Sequence, residues 1–86
     1  MGHRIELEEV EAAMAQIEGV ERVCCIFDDI KSKLYGFYVG DIDKKELHGK
    51  MSEKLPIFMI PNALRKVDEM PLTKNGKIDR KALMAR

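Results

Sequence analysis

The feature that most constrains this chain is a change of hydrophobic period at residues 19 and 20. Upstream, Leu7, Val10, Met14 and Ile17 recur every three or four positions, with Glu8, Glu9, Glu11 and Gln16 between them. That spacing lays one apolar stripe along a helix, predicted over residues 5–18. The early glutamates complement the positive end of the helix dipole, and Gly19 supplies a stop. Downstream the pattern alternates: Val23, Cys25 and Phe27 fall on one face of an expected strand from Val20 to Ile30, and Cys24 and Ile26 on the other.

A polar turn at residues 28–33 leads to a second apolar run from Leu34 to Val39, so the two runs predict a hairpin. Gly36 inside the second run points to a close approach or a bulge. Asp43, with Glu46 three residues on, has the form of a capping box. It opens a second helix lined by Leu47, Met51 and Leu55 and stopped by Pro56. His48 falls at the edge of that stripe and has no second ligand at helical spacing, so it reads as a surface histidine rather than a metal site.

Met59-Ile60-Pro61 is expected to be extended, because a residue before proline avoids the helical region. Asn62 to Val67 reads as a third short strand, at an edge or at least starting beside a proline. Asn75-Gly76 is the signal for a type I′ turn, in which both central residues take positive φ. Asp79 then caps a short last helix through Arg80, Lys81, Ala82 and Leu83. The predicted fold is α+β: a three-stranded, at least partly antiparallel sheet packed with two main helices and a short C-terminal helix.

The 86 residues make one small domain with a formal net charge of zero. The balance is uneven: residues 1–64 carry 8 Lys/Arg against 12 Asp/Glu, and residues 65–86 carry 7 against 3. A basic C-terminal end favours an anionic partner. Cys24 and Cys25 are adjacent and belong to no metal-ligand spacing, which fits a reduced protein and excludes a zinc motif. No apolar run reaches the roughly 18 residues of a membrane span, and no signal-peptide pattern is present. A cytoplasmic protein without a membrane partner is expected.

Most catalytic patterns fail. Gly76-Lys77 lacks the earlier glycine and the following Ser/Thr of a phosphate-binding loop. Ser32 and Ser52 have no base partner nearby in sequence. Phe27, Tyr35, Phe37, Tyr38 and Phe58 lack the interleaved Lys/Arg of an RNA platform and read as core, so no nucleic-acid partner is expected. One candidate remains: Lys77, a cation on a stiff turn, suited to stabilising charge that develops on a phosphoryl or carboxylate oxygen.

Three blocks carry a family resemblance. Pro71-Leu72-Thr73-Lys74-Asn75-Gly76-Lys77-Ile78-Asp79-Arg80-Lys81 resembles the C-terminal signature of adenylate-forming enzymes. These comprise peptide-synthetase adenylation domains, acyl- and aryl-CoA synthetases and luciferases. Gly2-His3-Arg4-Ile5-Glu6-Leu7-Glu8-Glu9-Val10-Glu11 resembles the motif that opens their C-terminal subdomain, with Glu8 where many relatives have glycine. Leu55-Pro56-Ile57-Phe58-Met59-Ile60-Pro61 resembles a block between the two. The order and spacing also match, so the resemblance covers essentially the whole chain.

The resemblance implies that residues 1–86 are the mobile lid of a larger enzyme. The large N-terminal portion, which binds ATP, Mg2+ and the carboxylic acid, is absent from this sequence. It implies that Lys77, positioned by Asn75 and Gly76, serves acyl-adenylate formation. The lid then rotates, and Gly2, His3 and Arg4 help line the tunnel for a phosphopantetheine thiol on a carrier protein. Asparagine before Gly76 resembles amino-acid-activating members, as in nonribosomal peptide synthetases. The alternatives are an acyl- or aryl-CoA synthetase lid, or a free-standing module that binds an anion or nucleic acid.

Overall fold

The computed structural model describes residues 7–84. In chain order these form helix α1 (Leu7–Ala15), strands β1 (Val20–Asp28) and β2 (Lys33–Gly40), helix α2 (Lys44–Lys54), a 3-10 turn (Ile57–Met59), strand β3 (Ala63–Lys66) and helix α3 (Arg80–Met84). The α+β class is as the sequence predicts.

α1 ends three residues before its predicted limit at residue 18 and two before the last residue of its apolar stripe, Ile17. Gln16 and Ile17 donate to the carbonyls of Ala13 and Met14, so the last turn tightens to i→i+3 bonding and still buries Ile17. Gly19, in a left-handed conformation (φ +101°), carries the chain into β1. β1 and β2 then form the expected hairpin, paired antiparallel from Val20 opposite Gly40 to Asp28 opposite Lys33. The register slips between Val20 and Arg22, so the bulge lies there and not at Gly36. Gly36 is instead a point of close packing: a β-carbon there would sit 3.0 Å from Pro61 Cγ and 3.1 Å from Leu64 Cδ2.

α2 begins as its capping box predicts, with the Asp43 side chain accepting the Glu46 N–H at 2.9 Å. The expectation of an extended Met59 fails. Met59 donates to the Pro56 carbonyl at 2.9 Å and closes the 3-10 turn, whereas Ile60 is extended (φ −85°, ψ 128°). The steric restriction before proline acts on a single residue, and Pro61 confines only Ile60. β3 is two residues shorter than its predicted span and pairs parallel with β2. The sheet is therefore mixed, in the order β1-β2-β3.

β2 is the middle strand and is buried on both faces. On one face Leu34 and Tyr38 pack with Cys25 under Val10, Met14 and Ile17 near α1 and under Leu47 and Met51 of α2. On the other, Tyr35 and Phe37 pack with Cys24, Met70 and Leu83. The Tyr38 hydroxyl stays satisfied by donating to the Ile42 carbonyl at 2.8 Å. The aromatics of β2 are thus core, as expected, whereas Phe27 of β1, expected there too, is exposed. Cys24 and Cys25 are fully buried on opposite faces and unbridged.

Candidate functional site

The segment after β3 crosses the sheet face opposite α1 and α2 and projects one tip. Met70 at its start and Leu83 of α3 at its end are both buried against Tyr35 and Phe37, with Ile78 packed beside them. Between these anchors the chain folds back on itself, with Leu72 opposite Ile78 in an isolated antiparallel bridge. Anchoring both feet in the core fixes the direction of the loop even though its end is exposed.

The loop is not the expected type I′ turn. Gly76 has positive φ (+83°), but Asn75 does not; Ser32 is the only non-glycine residue with positive φ among those described. Gly76 N–H donates to the Thr73 carbonyl at 3.0 Å, and Thr73 N–H donates to the Lys77 carbonyl at 2.7 Å. These bonds close a three-residue loop over Lys74, Asn75 and Gly76: a type I turn followed by a left-handed glycine. The core decides between the two loops. A two-residue loop would set Ile78 opposite Thr73, whereas the observed register sets it opposite Leu72, with Ile78 kept on the sheet.

Lys77 is the first residue after the glycine and is exposed. Its backbone is held on both sides: the carbonyl accepts from Thr73, and its N–H donates to Thr73 Oγ1 at 3.3 Å. Asp79 N–H donates to the Pro71 carbonyl at 2.8 Å, which closes the base of the loop. Asp79 also caps α3, as predicted, accepting the Ala82 N–H on its side chain at 3.1 Å. Thr73 therefore matters as much as Gly76 to the direction of Lys77. It escapes a reading of the sequence because its role depends on the loop length.

A second junction ties this region to the rest of the domain. Glu11 of α1 reaches the free edge of β1, where its Oε2 accepts the Cys25 N–H at 2.7 Å. The Arg80 guanidinium, from the opposite layer, lies 3.9 Å from the same oxygen. Gly2, His3 and Arg4 lie outside the described residues. Among the described residues no cluster of three or more His, Cys, Asp or Glu side chains gathers, and His48 is exposed.

The Lys77 loop and the three-stranded sheet belong together in a known group of domains. The family model for the AMP-binding enzyme C-terminal domain matches residues 9–77. The chain belongs to that family. It is 44% identical over 87 residues to tyrocidine synthase 3 of Brevibacillus parabrevis, covering 95% of this chain and 1% of the relative. It is 40% identical over 93 residues to the delta-poly-L-ornithine synthetase of Acinetobacter baumannii, covering 99% and 7%. Among solved structures, a four-domain nonribosomal peptide synthetase bound to AMP and glycine superposes with a TM-score of 0.82 at 36% identity, covering 94% of this chain and 6% of that one. A Mycobacterium tuberculosis fatty acyl CoA synthetase shares the fold, with a TM-score of 0.81 at 20% identity, covering 95% and 18%.

The AMP-binding C-terminal domain thus spans only a small part of the length of these relatives, which are far larger synthetases. No helix among the described residues is long and apolar enough to cross a membrane.

Proposed function

We propose that this domain is the mobile lid of an amino-acid-activating ligase and that Lys77 is the residue it contributes to adenylation. What supports the reading is a cation held at a braced tip, in a chain 40–44% identical to peptide synthetases along nearly its whole length. The parent's large N-terminal portion holds ATP, Mg2+ and the amino acid. Bound ATP would supply the α-phosphorus that the amino-acid carboxylate attacks, the bond to the β-phosphate breaking and pyrophosphate leaving. The Lys77 ammonium bridges that carboxylate and the α-phosphate, where negative charge accumulates as the mixed anhydride forms. Rigidity matters because a preorganised charge stabilises the transition state without reorganising at the moment of reaction.

Rotation of the lid then withdraws Lys77 and brings the Gly2-His3-Arg4 end to the incoming phosphopantetheine thiol of a carrier protein. A compact body that braces the Lys77 loop against its sheet suits such a swing. The unbridged Cys24 and Cys25 fit the reducing cytoplasm in which such enzymes meet ATP. Asparagine before Gly76 and the peptide-synthetase relatives favour an amino acid over the acyl substrates of CoA synthetases, whose likeness rests on the fold.

The test is Lys77→Ala in the intact enzyme. Adenylate formation, followed by pyrophosphate exchange, is expected to fall by roughly 10²–10³-fold, the scale for one lost oriented electrostatic group. Transfer from a preformed adenylate to the carrier thiol is expected to stay within a few-fold. Equal losses in both half-reactions would remove Lys77 from this role.

A further inference from the structure

Away from the Lys77 loop, a groove of about 820 Å³ runs between the start of α2 and β3. Lys44, Lys45 and His48 of α2 line one side, and the six consecutive residues 61–66, ending in Arg65 and Lys66, line the other. Among the described residues no acidic side chain lines it. The ion pairs among those residues are Lys50–Glu46 and Arg80–Glu11, so none of the four groove cations is neutralised there.

Folding alone disfavours this arrangement. Lys44 and Lys45 occupy the first turn of α2, where the helix dipole opposes positive charge. Arg65 and Lys66 then add two more like charges to the same concavity. Four cations without acids make a site complementary to negative charge.

The shape of the groove narrows the partner. A lining of consecutive residues means that it follows the strand. β3 bonds to β2 on one side, and no strand covers its other side among the described residues. Alternate N–H and C=O groups therefore face outward along the groove, ready to pair with an added strand. The four residues of β3 at about 3.3 Å each give a seat roughly 13 Å long. Among the described residues no aromatic side chain lines it, so they offer no stacking platform for the bases of a single-stranded nucleic acid.

We propose that this groove binds an extended acidic peptide segment, which adds to the free edge of β3 and sets its carboxylates against Lys44, Lys45, Arg65 and Lys66. The site is separate from Lys77 and does not depend on the adenylation reading.

The experiment titrates the 86-residue chain, observed by amide-resolved NMR, with the blocked hexapeptide Glu-Val-Glu-Glu-Val-Glu at low salt. Lys-Val-Lys-Lys-Val-Lys and a short oligothymidine serve as controls. Expected are saturable binding with a dissociation constant of about 1 mM or tighter, and new exchange protection at outward-facing amides of β3. A tenfold rise in salt is expected to weaken binding several-fold. The exposed pair Lys44→Glu with Lys45→Glu is expected to weaken it by about tenfold or more, while the thermal melt of the variant holds or rises, because acids suit the first turn of α2. Absence of saturable binding, or binding without β3 protection, would overturn the proposal and leave these cations as blockers of edge-to-edge pairing. Equal or tighter binding of oligothymidine would also overturn it, in favour of a nucleic-acid site.

Discussion

Glu11 offers the sharpest test of how the domain is held together. Its carboxylate accepts the Cys25 N–H at 2.7 Å, on a residue with no solvent exposure. Glu11→Ala leaves that donor without a partner at the edge of β1, at a cost of about 1–3 kcal/mol. With unfolding entropy near 2.1 cal/mol/K per residue, an 86-residue domain loses about 5–6 °C of Tm per kcal/mol, so a fall of roughly 6–17 °C is expected. Glu11→Gln retains an acceptor oxygen and gives up only charge. The Arg80 contact it loses is long, at 3.9 Å, and the arginine is 60% exposed, so solvent screening limits the pair to a few tenths of a kcal/mol. Glu11→Gln is therefore expected to lose about 1 kcal/mol or less in all, including the weaker neutral hydrogen bond. Arg80→Ala is expected to lose less still. Thermal melts by circular dichroism give the three values, and amide exchange at Cys25 reports the bond directly. A Gln variant that melts as low as the Ala variant would refute the reasoning, because charge rather than an accepted hydrogen bond would then hold the edge.

Three further outcomes follow from the geometry. Gly76 has open space around its missing β-carbon, so Gly76→Ala meets only the conformational cost of positive φ, about 1–2 kcal/mol; in the intact enzyme it is expected to slow adenylation more than thiol transfer, and equal slowing would detach the loop from that step. Gly40→Ala is expected to abolish stable folding, since its β-carbon would lie 1.9 Å from the Gly19 carbonyl oxygen, whereas Gly49→Ala, in open space on α2, is expected to add about 0.5–1 kcal/mol in urea melts; similar effects at the two sites would contradict the packing. Burial, followed by the charge of Glu11, pushes the Cys25 thiol from its ordinary 9.0 up to about 12. Between those values the unfolded chain releases this proton and the folded one keeps it, so stability should fall with rising pH by up to about 1.4 kcal/mol per unit. Cys25→Ala should remove that part of the slope, and an unchanged slope would show the thiol is not its source.

The Lys77 loop shows where reading the sequence stops. Asn75-Gly76 announces a turn, and Gly76 does take the left-handed conformation, but the loop gains a residue because Ile78 has to stay on the sheet. Loop length here is a consequence of packing by Met70, Ile78 and Leu83, which lie outside the turn itself. Pro61 likewise predicts one extended residue, and the 3-10 turn at Ile57–Met59 depends on how the chain leaves α2 to reach β3.

The elements and their faces were legible in the order of residues alone. Period dictates which side chains share a side of a helix or strand, and Asp43, Asp79, Pro56 and Gly76 act through local sterics and hydrogen bonds. The family resemblance was legible there too, since three short blocks in order survive without any knowledge of contacts. It took the packed fold to establish that β3 lies parallel to β2, that Lys77 projects from the face opposite α1 and α2, that Glu11 seals the edge of β1, and that four cations meet in one groove. Each of these joins residues far apart in the chain. The hydrophobic burial that drives their approach is non-directional: it sets which faces must be covered, and the packing of particular side chains sets by what.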